Sequence, residues 1–582
     1  MRRITSTIRT AVCAAALAAA CGLAMGQTAA DATKPPALDQ KPFALDQQIA
    51  ALVSQPAVAR AHWGVMVTTL DGRPIYALNE GQLFRPDSNA KLFTTAAAMV
   101  LLGPDRTFQT KVIAEGTMAT NGVLHGDLLL RGGGDANFAS ALFPYLSPSK
   151  QPAKDEQTPP SPLAAIDELA EQVVAKGVKV IDGDVVGDDS YFAMDPYPLG
   201  WSGDDLLWGY GAPVSALTIH DNQIDVTITP VPNTKDSLSA AIQLSPDLPY
   251  YTGKRDVYTR DDFGINSVLF ERAPGSKELS ISGSVATKLG PVHEEIAIEN
   301  TAEYAALELK TALEKRGVRV KGNVSTRHWD PGDSAPFLPK TMAPIPLYVP
   351  ELRNIPETSR SSALRRFGDL ANFMNSQNAD CGYTYVGGPQ KVRTELATHT
   401  SPPVAEDILL TNKLSQNLHA EMMIRNIART KECMPQAANG VQWVRHFLYY
   451  AGIDKDDFVF YDGSGLSGYD LVTPRAVAKL LSFAAHDPKT GAAQPWFADW
   501  KASLPIGGVD GTLADRFTTA PLKGHVFAKT GTHSEGRALS GYLECASGQT
   551  VIFSILVDHH LPGDDADRDA MDKIVAAIAA AE

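Results

Sequence analysis

In Arg85-Pro86-Asp87-Ser88-Asn89-Ala90-Lys91-Leu92-Phe93-Thr94-Thr95-Ala96-Ala97-Ala98, a serine and a lysine stand three residues apart at the head of an apolar run that Gly103-Pro104 ends. On a helix, residues at that spacing share a face, so the Lys91 amine can reach the Ser88 hydroxyl and take its proton. A serine with no neighbouring histidine becomes a nucleophile in this way. The S-x-x-K spacing alone carries little, since a chain of this length contains it roughly once or twice by chance. Ser147-Pro148-Ser149-Lys150 has it too. Its Pro- and Ser-rich surroundings cannot keep one helical face in register.

An acylating serine needs groups that grip the substrate and deliver protons, and the flanking residues decide which copies qualify. Lys529-Thr530-Gly531-Thr532 follows Val526-Phe527-Ala528 and precedes two further apolar runs, which reads as antiparallel strands with Lys529 on an edge. Lys489-Thr490-Gly491 is enclosed by loop punctuation instead. Ser415-Gln416-Asn417 leads into a helical pattern through Arg425, whereas Ser376-Gln377-Asn378 runs into the irregular Ala379-Asp380-Cys381-Gly382.

Ser88/Lys91, Ser415/Asn417 and Lys529/Thr530/Gly531 thus occur in the order S-x-x-K, S-x-N, K-T-G, the signature of penicillin-binding proteins and serine β-lactamases. Together with Leu129-Leu130-Arg131-Gly132-Gly133-Gly134-Asp135, Asn412 to Glu421, Asp462-Gly463-Ser464-Gly465-Leu466-Ser467 and Gly508 to Arg516, they resemble the class C, low-molecular-mass penicillin-binding proteins. These are the D-alanyl-D-alanine carboxypeptidase/endopeptidases of peptidase family S13. Asp87 departs from the small residue usual in that family. A carboxylate there can cap the helix or tune the amine.

The resemblance implies an α+β fold: a DD-peptidase/β-lactamase-like catalytic domain, its antiparallel sheet flanked by helices, with β-rich domains inserted after the nucleophile helix. The expected division is a signal peptide over 1–26, a catalytic domain from 42–112 and 404–582, inserted domains over 113–330, and an extra connector over 331–403. It also implies a periplasmic serine DD-peptidase in which Ser88, Lys91 and Ser415 are catalytic. Asn417, Lys529, Thr530, Gly531 and Thr532 would bind substrate. Asp188, in Gly187-Asp188-Asp189-Ser190, resembles an acidic residue that the family's inserted domain points at the cleft, where it would meet an ammonium on the stem peptide; a turn carboxylate is the alternative. Arg516 would support the site. Peptidoglycan stem peptides are the implied partner and β-lactams the covalent inhibitors. No cofactor is implied. Rival readings are a β-lactamase-like hydrolase and a penicillin-binding scaffold or sensor without turnover.

A formal charge of -14 excludes nucleic acid and anionic membrane as natural partners, because most of the surface would repel them. Arg2, Arg3 and Arg9 precede an Ala/Leu-rich stretch from Ala11 to Met25, which reads as a signal peptide cleaved near Gly26. The stretch is short for a membrane span, and a lipid anchor through Cys21 is the alternative. Cys381, Cys433 and Cys545 would remain in the mature chain. One disulfide, Cys381 to Cys433, or three separate thiols are both open. His559-His560 stands without a Cys, Asp or His cluster at ligand spacing, so no metal site is expected.

Both ends of the chain read as parts of one sheet. A hairpin is expected from Gly64 to Leu78, strands from Val526 to Val557, and a final helix with Met571, Ile574, Val575 and Ile578 on one face. A site built from residues 88, 415 and 529 requires the chain to leave this body after the Ser88 helix and return before Ser415. The excursion carries its own strands and a helix capped by Asn300 with Glu303 three residues on.

Overall fold

The computed structural model describes residues 45–582 apart from 141, 151–162, 233–238, 262–263, 330–391, 433–435, 488–489, 534, 562 and 564. The expected signal peptide over 1–26, Cys381, Cys433, Ser376, Asn378 and Lys489 lie outside the described residues. Cys545 is buried and carries no disulfide.

The two chain ends build one five-stranded antiparallel sheet, in the spatial order Val526–His533, Gly536–Glu544, Thr550–Asp558, His62–Thr69, Pro74–Leu78. Strand Thr550–Asp558 shows how both faces are covered. Val551, Phe553, Ile555 and Val557 pack with Ile49, Met571, Ile574 and Ile578 of the first and last helices. The intervening Ile552 and Leu556 face the cluster that holds Leu92, Phe93 and Ala96 of helix Ala90–Leu101. Strand alternation thus divides one run of apolar residues between two helical layers. Helix Ala90–Leu101 is rich in Ala and buried along nearly its whole length.

After that helix the chain enters a second body. Strands Gln109–Met118 and Val123–Arg131 pair antiparallel, and Val123–Arg131 pairs parallel with Val180–Ile181 and Val185–Ala193. Helices Ala164–Ala175 and Thr301–Lys315 supply Leu169, Val173, Leu309 and Leu313 to its core. Asn300 caps the second helix by accepting the Glu303 N–H at 3.0 Å.

One expectation is corrected here. Residues 393–400 do not belong to a connector: Arg393–Thr400 is a strand that pairs with Gln109–Met118, opposing Arg393 to Glu115. Arg393 and Arg327 both fork onto the Glu115 carboxylate, which burial alone would push up and the two guanidinium groups pull down to about 2. The chain returns to the first body with helix Val404–Leu414.

Candidate active site

Ser88 lies in a single 3-10 turn, Asp87–Asn89, that feeds helix Ala90–Leu101. The half-buried Ser88 Oγ is 3.0 Å from Lys91 Nζ. Lys91 is fully buried, and its amine has two more partners, Asn417 Oδ1 at 2.6 Å and the Ser464 carbonyl at 2.7 Å. Burial drives its pKa down to about 7, against the pull of Asp462, Glu421 and Asp87. Dry surroundings penalise the ammonium more than these carboxyl groups reward it.

Ser415 caps helix Val404–Leu414 in the left-handed region, φ 63°, and helix Asn417–Glu432 starts two residues later. Such a backbone is uncommon for serine and needs support. The preceding Lys413 supplies it: its buried ammonium bonds both carboxylate oxygens of Asp510 at 2.8 Å and the Leu504 carbonyl at 2.6 Å. Ser415 Oγ accepts from Lys529 Nζ at 2.8 Å. The Lys529 amine also bonds the Thr530 carbonyl, and burial with the nearby Lys91 holds its pKa well below the usual range.

Lys529 belongs to the edge strand Val526–His533, whose outer side is only partly covered. The Ala528 N–H donates outward to the Pro505 carbonyl at 3.0 Å. By the two-residue period of a strand, the Thr530 and Thr532 N–H groups point the same way. Thr532 is exposed there, and the Thr530 and Thr512 hydroxyls pair at 2.7 Å. Hydrogen bonds thus join Ser88, Lys91 and Asn417, and Ser415 with Lys529 lies beside them, while Thr530 and Thr532 follow on the same strand edge, with Gly531 packed against Asp87 behind it.

Asp188 does not join them. It is fully buried in strand Val185–Ala193, takes the Ser190 N–H and hydroxyl, and faces Arg327 at 3.7 Å. Arg516 pairs with Asp572 on the last helix at 3.2 Å, so it braces the fold rather than the cleft. Asp135 is a turn residue, accepting the Asn137 N–H. Ser147 and Lys150 sit in an exposed turn. Among the described residues, no group of three or more His, Cys, Asp or Glu side chains is placed to hold a metal ion.

Sequence reasoning assigned no role to several groups that reach the site. Glu421 accepts the Gly463 and Ser464 N–H groups at 2.8 and 2.9 Å, and burial raises its pKa to about 7. Asp462 takes the Ser464 hydroxyl, the Gly465 and Ser467 N–H groups and the Trp201 indole. These two carboxyl groups aim the Ser464 carbonyl at Lys91. From the second body, the Tyr210 carbonyl accepts Asn417 Nδ2 at 2.9 Å, and the Tyr210 hydroxyl bonds Asp205 at 3.1 Å. The other Asp205 oxygen lies 4.0 Å from His533 Nε2, at the end of the Lys529 strand. Buried His419, two residues past Asn417, bridges Asp407 at 2.6 Å and Asp221 at 3.1 Å, and those carboxylates raise its pKa to about 10 despite burial.

The family model described as D-Ala-D-Ala carboxypeptidase 3 (S13) matches residues 45–353 and 384–581. The chain is 31% identical over 530 residues to a D-alanyl-D-alanine carboxypeptidase of Actinomadura sp. (strain R39), covering 89% of this chain and 81% of that one. It is 24% identical over 512 residues to the D-alanyl-D-alanine carboxypeptidase DacB of Haemophilus influenzae, covering 86% of each. The crystal structure of penicillin binding protein 4 (dacB) from H. influenzae superposes with a TM-score of 0.68 at 21% identity, over 91% of this chain and 98% of that one. A second structure of that protein, complexed with a β-lactam, gives a TM-score of 0.64 at 20% identity over the same shares. The chain belongs to the S13 family of D-Ala-D-Ala carboxypeptidases.

Proposed function

We propose that this chain is a periplasmic serine DD-peptidase that hydrolyses both D-Ala-D-Ala ends and D-Ala-diaminopimelate crosslinks of peptidoglycan through an acyl-enzyme on Ser88. The set of partners around Lys91 Nζ carries the reading. Two of the three, the Asn417 amide oxygen and the Ser464 carbonyl, can only accept. A neutral amine has two N–H groups for them and one lone pair left, and that lone pair faces the Ser88 hydroxyl.

Lys91 takes the Ser88 proton as Ser88 Oγ attacks the penultimate D-Ala carbonyl. The N–H groups of Ser88 and Thr532 would hold the oxyanion, each contributing about 3 to 4 kcal/mol. Ser415 relays a proton to the departing amine, the ester forms, and water then cleaves it to free Ser88. Lys529, with the Thr530 and Thr532 hydroxyls, grips the substrate carboxylate. That carboxylate favours an ammonium at Lys529, and the new charge disfavours one at Lys91, so binding itself promotes the free base.

A crosslink also carries a carboxylate beside the scissile amide, so the same grip serves both hydrolyses. Asp205, on the second body, is buried between the Tyr210 hydroxyl and His533. Among the described residues no helix is long and apolar enough to cross a membrane. The export reading rests on the first 26 residues.

A fluorescent penicillin tests the nucleophile, since a β-lactam leaves a slow ester on the attacking serine. Ser88→Ala is expected to abolish labelling and Ser147→Ala to leave it unchanged. Label that persists in the first variant, or moves to the Ser147 peptide, overturns the assignment.

A further inference from the structure

Asp87 immediately precedes the nucleophile and is used by none of the steps above. Its backbone is left-handed, φ 44°, and its side chain is 2% exposed. It caps nothing: neither the 3-10 turn nor the following helix has a side-chain cap. Three glycines form the slot that holds it. A Cβ on Gly465 would lie 1.7 Å from the Asp87 carbonyl oxygen, one on Gly531 would lie 2.9 Å from Asp87 Cβ, and one on Gly536 would lie 2.8 Å from both carboxyl oxygens. The side chain thus fills the space between the Ser88 turn and the two strands that begin and end the Lys529 hairpin.

The charges around this slot are unusual for a carboxylate. Asp87 Oδ2 is buried without a hydrogen-bond partner, and so is Oδ1 of the neighbouring Asp558. Asp558 Oδ2 accepts the Arg85 N–H at 3.2 Å. Arg85 turns its guanidinium to Glu535, and Arg537 turns its own to Asp565 and Asp567. Lys91 spends its contacts on Ser88, Asn417 and Ser464. Arg85, Arg537 and Lys91 are each engaged by other groups, and the neighbouring Asp558 is another buried carboxyl. Burial first, and Asp558 second, push the Asp87 pKa well above the carboxylate range.

Resting on Ser88 and Lys91 as nucleophile and base, we infer that Asp87 is a positioning residue: it wedges the Ser88 turn against the Lys529 hairpin, and it favours acylation as the neutral acid rather than as the anion. The physical reason is local. An anion one residue from Ser88 would stabilise an ammonium at Lys91, removing the base, and would oppose the negative charge that develops at the Ser88 N–H. The acid form does neither. Loss of the proton from Lys91 therefore raises the rate, and ionisation of Asp87 lowers it.

Acylation of the full chain by a fluorescent penicillin is measured against pH for the native protein, Asp87→Asn and Asp87→Ala, with rates normalised to titrated active sites so that misfolded protein does not count. The fall in rate that Asp87 ionisation causes is expected to be absent from both variants, which carry no carboxyl at that position. The maximal rate is expected to fall about tenfold in Asp87→Ala alone, where a void replaces the wedge beneath the nucleophile. An Asp87→Asn profile that superposes on the native one overturns the charge role, and an Asp87→Ala variant as fast as Asp87→Asn overturns the wedge. Label that is independent of Ser88 marks failure of the underlying assignment instead.

Discussion

The two walls of the cleft are built on different terms. On the wall made by the sheet and its helices, the site is reached through side chains of fixed chemistry: Lys91 with Ser88, Lys529 with Ser415, Asn417 with Lys91. On the wall made by the second body, three of the contacts come from the backbone. The Tyr210 carbonyl meets Asn417, the Leu199 carbonyl meets Ser467 Oγ, and the Gly200 carbonyl meets the Gly468 N–H. Proton transfer and charge binding dictate residue types. Docking through such carbonyl groups dictates the path of the chain rather than residue type, because every residue brings a carbonyl.

The sharpest way to break that contrast is to delete side chains from the first wall. Lys91→Met should lower acylation by penicillin at least about a thousandfold, and Lys529→Ala and Ser415→Ala about a hundredfold each, the scale of a lost base, electrostatic clamp or proton relay. The sign of the pH dependence follows from the same geometry. Burial depresses the Lys91 pKa to about 7, and the reactive form is the free amine, so the rate of the native protein rises with pH through about 7. A Lys91→Met protein that acylates within tenfold of the native rate places the base elsewhere.

This contrast also explains what could be read in advance. The three motifs were legible because their flanks carry structure: a Pro-to-Gly apolar run around Ser88, a helical pattern after Asn417, apolar strands around Lys529. The hairpin Gly64 to Leu78 and the Asn300 cap were legible for the same reason. The strand Arg393–Thr400 was not, since RTELATHT alternates weakly and its partner strand lies far away in the chain. Asp188 was misplaced because an acidic turn sequence states the charge of a side chain but not which way it faces. Nothing in the types of Tyr210, Leu199 or Gly200 announces that their carbonyl groups close the site.

A smaller effect tests the seam between the walls. Asp462 accepts four hydrogen bonds, three from its own loop and one from Trp201 of the second body. Asp462→Ala leaves buried donors unpaired, at about 1 to 3 kcal/mol each, and releases the Ser464 carbonyl from its aim at Lys91. Acylation should drop about tenfold to a hundredfold, with a lower melting temperature. The acid limb should also move to lower pH, since Asp462 is the strongest of the groups holding a proton on Lys91. Trp201→Phe removes one of the four bonds and should stay within about threefold of the native rate. Equal losses in the two variants would show that the second body shapes the base as strongly as the loop itself does.

The smallest expected effect on catalysis belongs to Asp188→Ala. Its carboxylate holds the Ser190 N–H and hydroxyl inside strand Val185–Ala193, on a sheet of the second body. Arg327 keeps its fork on Glu115 when Asp188 is removed, so no cation is stranded. The loss is then that of buried hydrogen bonds, about 1 to 3 kcal/mol of stability. Thermal unfolding should register it. Hydrolysis of a short acyl-D-Ala-D-Ala and of a stem peptide with a free side-chain amine should be unaffected, with their ratio unchanged. A variant that lost the amine-bearing substrate selectively would put Asp188 back in contact with substrate, and its burial beneath Arg327 would then have to open during binding.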